Sequence, residues 1–506
     1  MALDPSGNTY LTGITTSDDF PVTSRAFQTR RGTGTSSFAA KLNTTGTALV
    51  YSTYLGGSTR TDAYGIAVDS LGCAYLTGTT TAADFPITPG AFRAGAKPAS
   101  QGGDVFVTKL SPDGTDLAYS SKFGGSGPDF GSAIAVDQAG NAYIGGRTQP
   151  YGNGRWMDFP TTPDAVQRCA QGNPLAFFAK LDTSGSRLEY ASYLGGASGG
   201  GSSAGALTLD AQGRVHLAGS TSAASFPVTS GAVQTTFGGP AASFDSTNLF
   251  PFAGDAFVAR IDLSGAPTRL RVSCQTNAAG LAPNLVSPGE MISLDGSGMG
   301  PSAGVSAGLD ANGRFPTSLA GTRVFFDGQP APLLYVRADQ INAVAPYGLT
   351  GKTATQVQVE SQGVTSEPLA VRVTAINPGI FTLDGSGSGQ AAALNEDGSV
   401  NSSSNPARPG SVMVLYATGA GVLQPAPEDG AIVAGTPPQT PPAAVYLGSG
   451  CQAEVLYSGS APGLVAGAIQ VNFRLPSQPQ CLRDNIPVVV LFGGAPSQEY
   501  ATISVP

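Results

Sequence analysis

The apolar positions of this chain fall in short segments of five to eight residues, bounded by Gly, Asp and Asn. These segments are rich in Val, Tyr, Phe and Thr, which is typical of β-strands. The segment at 369–374 alternates, so that Leu369, Val371 and Val373 face inward and Arg372 faces outward. Stretches rich in Lys, Glu and Leu, which favour helices, are sparse. The pattern therefore predicts an all-β protein.

Four sequence blocks recur in a fixed order through the first half of the chain. Each repeat has a turn block of the form Asp-x-x-Gly, a Phe-Pro pair and a strand ending in Lys-Leu or Arg-Ile; the first three also have a Tyr-rich strand before Gly-Gly. Asp bonds backbone N–H groups ahead of it and Gly accepts a positive φ, so each turn block predicts a tight hairpin. The turn blocks begin at Asp4, Asp69, Asp137 and Asp210.

The repeats predict a partial β-propeller over residues 1–268. Four strands per repeat is the content of one propeller blade, and the repeats lie near 1–63, 64–131, 132–204 and 205–268. The excess length over common blades falls after the Phe-Pro pair, where we expect a long loop. Because the first strand of the first repeat is nearly missing, we expect an incomplete ring with an unpaired edge.

The second half of the chain is duplicated in a different pattern. Pro288-Gly-Glu matches Pro409-Gly-Ser, and Gln340-Ile-Asn matches Gln470-Val-Asn. The copies span 269–376 and 377–506. Each has short alternating strands, which predicts two Ig-like β-sandwich modules.

The repeated segments of the two halves resemble two known families. Gly-Ile-Ala-Val-Asp at 65–69 and Tyr-Ser-Thr-Tyr-Leu-Gly-Gly at 51–57 resemble the SBBP family of bacterial β-propeller repeats, over roughly 1–265. Residues 274–506 resemble the Solibacter-type uncharacterised C-terminal domain, and each half is similar to an IPT/TIG-type Ig fold. The resemblances imply a secreted or surface protein with a propeller, usually of more than four repeats, and an extracellular accessory module. They imply no reaction and no catalytic residue.

The composition argues against several classes of function. Net charge is −8 with 26 Lys and Arg, which argues against a nucleic-acid partner. One histidine, His216, cannot build a multi-histidine metal site. No apolar run approaches the length that spans a bilayer, and the first residues show no signal-peptide pattern. We expect no cofactor and no metal.

Three motifs resemble catalytic or nucleotide-binding sequences. Gly-x-Ser-x-Gly at 201–205, with Asp210 and His216 after it, follows the order of an α/β-hydrolase triad. However, it aligns with a propeller hairpin, and His216 replaces the Tyr of the other repeats. Gly351-Lys352-Thr353 ends like a P-loop without the earlier glycine or a helix, and the Gly-rich run at 295–300 lacks a helix as well. We therefore predict no catalytic and no cofactor-binding residue.

Further residues have alternative interpretations. Asp4, Asp69, Asp137 and Asp210 are predicted to be structural turn residues; weak calcium binding or catalysis are the alternatives. The Phe-Pro pairs are predicted to anchor their loops, with an aromatic ligand rim as the alternative. Cys451 and Cys481 flank neighbouring strands of the last module, where a disulfide is geometrically feasible. The duplicated module lacks both cysteines, so the fold does not require the bond.

The predicted function is a non-enzymatic binding or adhesion scaffold outside the cell or on its surface. It would display the propeller loops to an extracellular ligand of unknown identity, with a polysaccharide or a protein as the candidates. The alternatives are a carbohydrate-active propeller enzyme that uses loop carboxylates, and a structural surface-layer component. An inward cluster of close carboxylates in a central cleft would favour the enzyme, whereas a polar or aromatic face without one would favour binding.

Overall fold

The computed structural model describes residues 1–94, 102–125, 127–149, 159–169, 174–196, 200–229, 231–239, 254–263, 270–280, 282–448, 450–478, 481 and 485–505. Over these residues the protein is all-β, with 37 strands and one short 3-10 turn, Tyr347–Leu349. The chain divides into two compact units, Met1–Ala266 and Pro267–Pro506. The predicted boundary after residue 268 lies outside the described residues.

The first unit contains four small antiparallel sheets, one for each repeat, which we call blades 1 to 4. Blade 1 comprises β1 (Ala2–Leu3), β2 (Thr9–Thr15), β3 (Ser36–Leu42) and β4 (Leu49–Leu55). Blade 2 comprises β5 (Thr61–Val68), β6 (Ala74–Thr80), β7 (Arg93–Ala94), β8 (Asp104–Leu110) and β9 (Leu117–Phe123). Blade 3 comprises β10 (Asp129–Val136), β11 (Ala142–Thr148), β12 (Leu175–Leu181) and β13 (Leu188–Leu194). Blade 4 comprises β14 (Ser202–Leu209), β15 (Val215–Thr221) and β16 (Asp255–Ile261).

Blade 1 has the nearly missing first strand that the sequence predicts, whereas blades 2 and 4 differ from the predicted four strands. In blade 1 the first strand has only two residues, and in blade 4 the described residues form three strands. In blade 2 part of the expected loop adds an edge strand, because β7 pairs in parallel with the end of β9.

The blades begin earlier than the predicted repeat limits. Residues 64, 132 and 205 lie inside the first strands of blades 2, 3 and 4, and those strands begin at Thr61, Asp129 and Ser202. In each case a β-bulge interrupts the strand after its third residue. A bulge shifts the alternation of the side chains, and for that reason the repeated phrase after it reads as the start of a new element.

The hydrophobic cores of the first unit lie between consecutive blades. Val105 and Val107 of blade 2 share one core with Phe177 of blade 3, and Phe178 on the other side of blade 3 packs with Leu217 of blade 4. The middle blades are therefore covered on both faces. β6 and β11 are buried along their entire length, including their threonines and Arg147.

The antiparallel order gives each blade two distinct ends. The hairpins at 69–73 and 111–116 lie at one end, which we call the turn end. The long Phe-Pro loops and the starts of β5, β8 and β10 lie at the other, which we call the loop end.

The first half of the second unit is a sandwich of two sheets. Its strands are β17 (Arg271–Asn277), β18 (Leu285–Val286), β19 (Met291–Ser297), β20 (Val305–Ser306), β21 (Thr322–Phe326), β22 (Gln329–Pro330), β23 (Leu333–Val336), β24 (Gln340–Val344), β25 (Ala354–Ser361), β26 (Val364–Thr365) and β27 (Leu369–Val373). The sheets have the orders β17-β19-β24-β23-β20 and β18-β27-β25-β21-β22, and β26 pairs with β25. Both sheets contribute to one core, in which Val371 is buried and Leu369 and Val373 pack against it, as the alternation predicts.

In the second half of the second unit, one continuous sheet of ten strands folds around its own core. Its strands are β28 (Gly379–Ile380), β29 (Gly389–Gln390), β30 (Ala393–Leu394), β31 (Val412–Thr418), β32 (Ala443–Leu447), β33 (Cys451–Ser460), β34 (Ile469–Arg474), β35 (Ile486–Phe492), β36 (Ala495–Pro496) and β37 (Ala501–Ile503). The long strand β33 pairs with β32 through its first residues and with β34 through the rest, so it joins the two layers.

The duplication of the second unit extends to single hydrogen bonds. Gln340 donates to Asn342 over 3.2 Å, and Gln470 donates to Asn472 over 2.9 Å. In the other layer, the hydroxyls of Ser366 and Ser497 accept from the backbone N–H of Val359 and Val490, respectively. These matches pair the same positions that the sequence aligns.

Candidate functional site

The four repeated aspartates organise the turn end of the blades. In blade 2, Asp69 Oδ1 accepts from the backbone N–H groups of Leu71 and Cys73 at 3.0 and 2.9 Å. The Tyr75 hydroxyl donates to Oδ2 over 3.1 Å, and Lys109 Nζ lies 3.2 Å from it. Burial alone raises the pKa of Asp69, but the bonds from Cys73 and Lys109 outweigh it and lower the pKa. The carboxylate is held in its ionised form as a turn residue.

The same arrangement recurs in blades 1 and 3 and changes in blade 4. Asp4 and Asp137 each accept from a tyrosine hydroxyl, whereas Asp210 Oδ2 faces Arg214 Nε at 2.7 Å and His216 Nε2 at 3.1 Å. Among the described residues, no group of three or more His, Cys, Asp or Glu side chains has the geometry of a metal site.

The triad-like motif of repeat 4 does not assemble. Ser203 is buried on β14 opposite Ser220, whereas His216 lies opposite Thr208 on the same pair of strands. Four residues of β15 separate Ser220 from His216, which is roughly 13 Å along a strand. His216 bonds to Asp210 at the turn end, in the place of the tyrosine of the other repeats.

The two nucleotide-like motifs are also turns. Gly351 has a φ of +82°, and Lys352 Nζ bonds to Asp327 over 2.8 Å. The Gly-rich run 295–300 ends β19 and leads to β20, with Gly298 at a φ of +65°. Neither provides a helix N-terminus to which a phosphate could bind.

The Phe-Pro phenylalanines pack onto their own blades. Phe85 and Phe159 are 3 % exposed, and their rings lie 4.9 and 4.4 Å from those of Phe106 and Phe177. Phe20 and Phe226 make the same contact with Phe38 and Phe257. This packing is that of loop anchors, and it leaves little of these rings for an aromatic rim.

The predicted cysteine pair is joined in the structure. Cys451 and Cys481 form a disulfide with a Cα–Cα distance of 5.7 Å. Cys451 is the first residue of β33, so the bond ties the start of that strand to the segment that follows β34.

Non-repeated charged residues gather instead at the loop end, around the first strand of blade 2. Arg60 Nε donates to Asp62 Oδ2 over 2.6 Å, and the Tyr64 hydroxyl donates to the same oxygen over 3.2 Å. Thr35 of blade 1 donates to Asp62 Oδ1 over 2.8 Å. This carboxylate is thus fully engaged, and burial together with Asp62 raises the pKa of Tyr64.

Arg147, at the end of β11, is the unusual member of this loop-end group. Its guanidinium lies 4.3 Å from the centre of the Phe130 ring, and the residue is 5 % exposed. Nη1 is buried and has no hydrogen-bond partner. Burial lowers the pKa of Arg147, and the nearby Tyr64 acts in the opposite direction. We call Arg60, Asp62, Tyr64, Phe130 and Arg147 the inner cluster.

Two aspartates of the loop end come close together beside Gly124. A side chain at Gly124 would run into the carboxylates of both Asp104 and Asp129. Lys122 Nζ lies 3.2 Å from Asp104, and the Gly125 N–H donates to Asp129 over 2.8 Å. Both aspartates are almost completely buried, at 2 % and 0 % exposure. They are a closed pair with a cation beside them, and not a carboxylate cluster that opens to solvent.

The repeat pattern does not reveal these residues, because they occupy positions that differ from one repeat to the next. Arg147 aligns with Thr79 and Ser220, and Asp62 aligns with Phe130 and Ser203. The sequence does mark these residues in one way: each is a charged residue at a strand-end position where the other repeats have an uncharged one.

Comparison with known proteins supports the class of protein that these blades define. The family described as "Beta-propeller repeat", SBBP, matches residues 50–86 and 118–149. These segments include parts of blades 1, 2 and 3. A search of curated proteins finds no match. No helix among the described residues is long and apolar enough to cross a membrane.

Two solved structures show weak likeness. A protein of unknown function from Dyadobacter fermentans is 7 % identical, with 94 % of this chain and 93 % of that chain covered and a TM-score of 0.29. A γ-CGTase from an alkalophilic Bacillus clarkii is 11 % identical, with 69 % of this chain and 39 % of that chain covered and a TM-score of 0.17.

Proposed function

We propose that this protein is a non-enzymatic binding scaffold of the cell exterior, and that the loop end of its propeller binds an acidic ligand at the inner cluster. The acidic ligand would be a polysaccharide with carboxylate or sulfate groups, or an acidic protein segment. The observation that carries the proposal is the buried, unpaired Nη1 of Arg147.

A buried guanidinium without an acceptor is costly to the folded protein. Arginine presents planar donors that match a carboxylate or sulfate group in two contacts at once. Within the inner cluster Arg60 pairs with Asp62, which also accepts from Thr35 and Tyr64, so the positive charge of Arg147 is left without a counterpart. The arrangement therefore favours one more anion, which the ligand would supply.

The contrast between repeated and non-repeated positions supports a scaffold. The turn end holds the same Asp and Tyr contacts in blades 1, 2 and 3, so it fixes the blades. The loop end carries residues that differ from blade to blade. Residues that vary on the loops of a constant framework are typical of binding surfaces.

The carbohydrate-active enzyme is the second candidate, and the Asp104–Asp129 pair is the observation that favours it. Paired carboxylates perform glycoside chemistry when a sugar reaches them. In this protein Asp104 is paired with Lys122 and Asp129 accepts from the Gly125 N–H, which favours the structural role.

The second unit and the location belong to the same proposal. We infer that the two sandwiches are Ig-like modules of the IPT/TIG type that act as spacers or docking modules. The Cys451–Cys481 disulfide supports an oxidising location outside the cytoplasm.

The experiment compares the binding of the full chain to polygalacturonate and to neutral dextran by isothermal titration calorimetry. We expect the native protein to bind the acidic polymer, with an affinity that falls as salt rises, and Arg147→Gln to lose most of that affinity. Arg187→Gln is the matched control, because Arg187 is exposed and lies at the turn end of the same blade. Thermal unfolding of Arg147→Gln should be unchanged or shifted upward, since an unpaired buried charge is removed.

Equal affinity of the two arginine variants would contradict the binding site. Release of new reducing ends from the acidic polymer by the native protein, abolished in Asp104→Asn, would replace the binding scaffold by the enzyme.

A further inference from the structure

Two aromatic rings lie next to the unpaired arginine of the inner cluster. The Phe130 ring packs on the Arg147 guanidinium, and Tyr64 is close enough to influence the pKa of Arg147. Both aromatic residues are only partly buried, whereas Arg147 is 5 % exposed. An acid group that pairs with Arg147 must therefore project from its molecule, and the rest of that molecule would lie next to aromatic surface.

Tyr64 owes its place to the β-bulge of β5. The bulge leaves one residue of the first strand unpaired in each of three blades, namely Tyr64 in blade 2, Ser132 in blade 3 and Gly205 in blade 4. A bulge redirects a side chain, and bulges are frequent next to active sites. Of these three blades, only blade 2 places an aromatic ring at the bulge.

The Tyr64 ring is held in a fixed orientation. Its hydroxyl donates to Asp62 over 3.2 Å and accepts from Arg60 Nη2 over 3.5 Å. Its strand also packs closely on the next blade, because a Cβ built on Gly65 would meet the backbone of Ala133. A ring that is already fixed loses little conformational freedom when a ligand packs on it.

The inner cluster thus offers one cation beside flat apolar surface. Arg60 is already paired with Asp62, so Arg147 is the cation that remains for a ligand. Its planar donors match a carboxylate. The rings of Tyr64 and Phe130 supply the apolar surface. Together these groups suit a molecule that carries one acid group next to a flat apolar face.

We propose that this molecule is a sugar acid, with its carboxylate paired to Arg147 and the C–H face of its pyranose ring packed on Tyr64. The inference rests on the proposed function and narrows its ligand to uronic acid polysaccharides. Aromatic side chains with a few placed polar groups are the usual lining of such small-ligand sites.

The other two acidic ligands fit the inner cluster less well. An acidic peptide brings its charge on a flexible side chain that has no flat face and must be ordered on binding. A sulfate group has three terminal oxygens, and one guanidinium pairs with two of them, which leaves the third without a donor.

The experiment titrates the full chain with four small probes by isothermal titration calorimetry: trigalacturonate, its methyl ester, triglutamate and a sulfated galactose trimer. We expect trigalacturonate to bind about 30-fold more tightly than its methyl ester, because the ester lacks the charge that pairs with Arg147. Triglutamate and the sulfated trimer should bind about tenfold more weakly than trigalacturonate. These comparisons use the native protein and do not depend on the folding of a variant.

Variants of Tyr64 test the contact with the sugar ring. Tyr64→Ser, which gives blade 2 the bulge residue of blade 3, should weaken trigalacturonate binding about tenfold. Tyr64→Phe restores the ring and should recover most of that loss. Tyr446→Ser is the matched control, because Tyr446 is a partly buried tyrosine on β32 of the second unit. Saturation-transfer NMR should show contact between sugar ring protons and aromatic protons in the native protein, and a weaker signal in Tyr64→Ser.

The failure of this inference and that of the proposed function have different signatures. If triglutamate or the sulfated trimer binds as tightly as trigalacturonate, and Arg147→Gln weakens each of them, the sugar acid is excluded and the acidic binding site stands. Equal effects of Tyr64→Ser and Tyr446→Ser would lead to the same conclusion. Absence of binding to every acidic probe, or binding that Arg147→Gln leaves unchanged, would overturn both.

Discussion

In the first unit each hydrophobic core lies between two consecutive blades, whereas in the second unit each sandwich encloses its own core. A blade is therefore stabilised by its neighbours, and its burial depends on its place in the row. A sandwich carries most of its burial inside, and its junction with the other sandwich combines a small apolar cluster, which includes Val344 and Val465, with polar contacts. In the first unit, the loss of unfolding free energy caused by a given substitution should thus depend strongly on which blade carries it. In the second unit this dependence on location should be much weaker.

The junction of the two sandwiches is built around a buried carboxyl group. Glu290 accepts from the N–H of Ser287 over 2.7 Å and from the Asn377 side chain over 3.0 Å. Asn277 donates to the Asn377 carbonyl oxygen over 2.8 Å. Burial raises the pKa of Glu290 to about 8. The stability of this junction should therefore fall as the pH rises toward 8.

The largest effect is expected from removing a core ring at an internal blade junction. Phe177→Ala should destabilise the first unit by about 3–5 kcal/mol, because Phe177 is fully buried between blades 2 and 3. Phe38→Ala, at the same position of blade 1, should cost about half of that or less, since Phe38 is partly exposed. Hydrogen-exchange mass spectrometry of peptides from each blade measures both. Equal losses of stability in the two variants would mean that the burial of a blade does not depend on its place in the row.

Removing the disulfide tests how local the stability of a sandwich is. The double substitution Cys451→Ser and Cys481→Ser should cost the second sandwich about 3 kcal/mol, because the closed loop spans 30 residues. Exchange in the first sandwich, which has the same duplicated strands without the bond, is the internal control. A comparable loss in both sandwiches would contradict independent cores.

A pair of glycine variants isolates the contact between neighbouring blades. Gly114 and Gly46 have nearly the same φ, +69° and +70°, in equivalent hairpins. Alanine at Gly114 would also run into the Tyr51 ring of blade 1, whereas alanine at Gly46 meets open space. We expect Gly114→Ala to cost about 2 kcal/mol more than Gly46→Ala. Urea titrations of the two proteins give the difference, and its absence would show that the hairpin does not bear on the preceding blade.

The last effect is measured per pH unit and concerns the junction of the two sandwiches. The folded protein keeps the Glu290 proton up to about pH 8, and the unfolded chain releases it near 4.5. The stabilisation is complete below pH 4.5 and is lost as pH rises to 8, at roughly 1.4 kcal/mol per pH unit. Glu290→Gln should flatten this dependence in the second unit and leave the blades unchanged. Denaturant midpoints measured from pH 5 to pH 8 check the slope, and a native protein without that slope would exclude a protonated Glu290.

Much of the fold was predictable because repetition makes local signals unambiguous. Four copies of Asp-x-x-Gly placed the hairpins, and the alternation at Leu369, Val371 and Val373 gave the correct inward face. The strand starts at Thr61, Asp129 and Ser202 were missed, because a bulge breaks the alternation that reveals a strand.

By itself, the sequence determined which residues form strands and turns, since these depend on side chains within a few positions of one another. It also determined that Asp69 and its counterparts are turn residues, because their partners lie two and four residues ahead. Only the tertiary structure decided that Arg147 has an unpaired Nη1, that Asp104 and Asp129 converge beside Gly124, and that Val258 is exposed where Val107 is core. These properties depend on which segments, distant in sequence, are brought together or left without a neighbour, and the pattern along one strand does not contain that information.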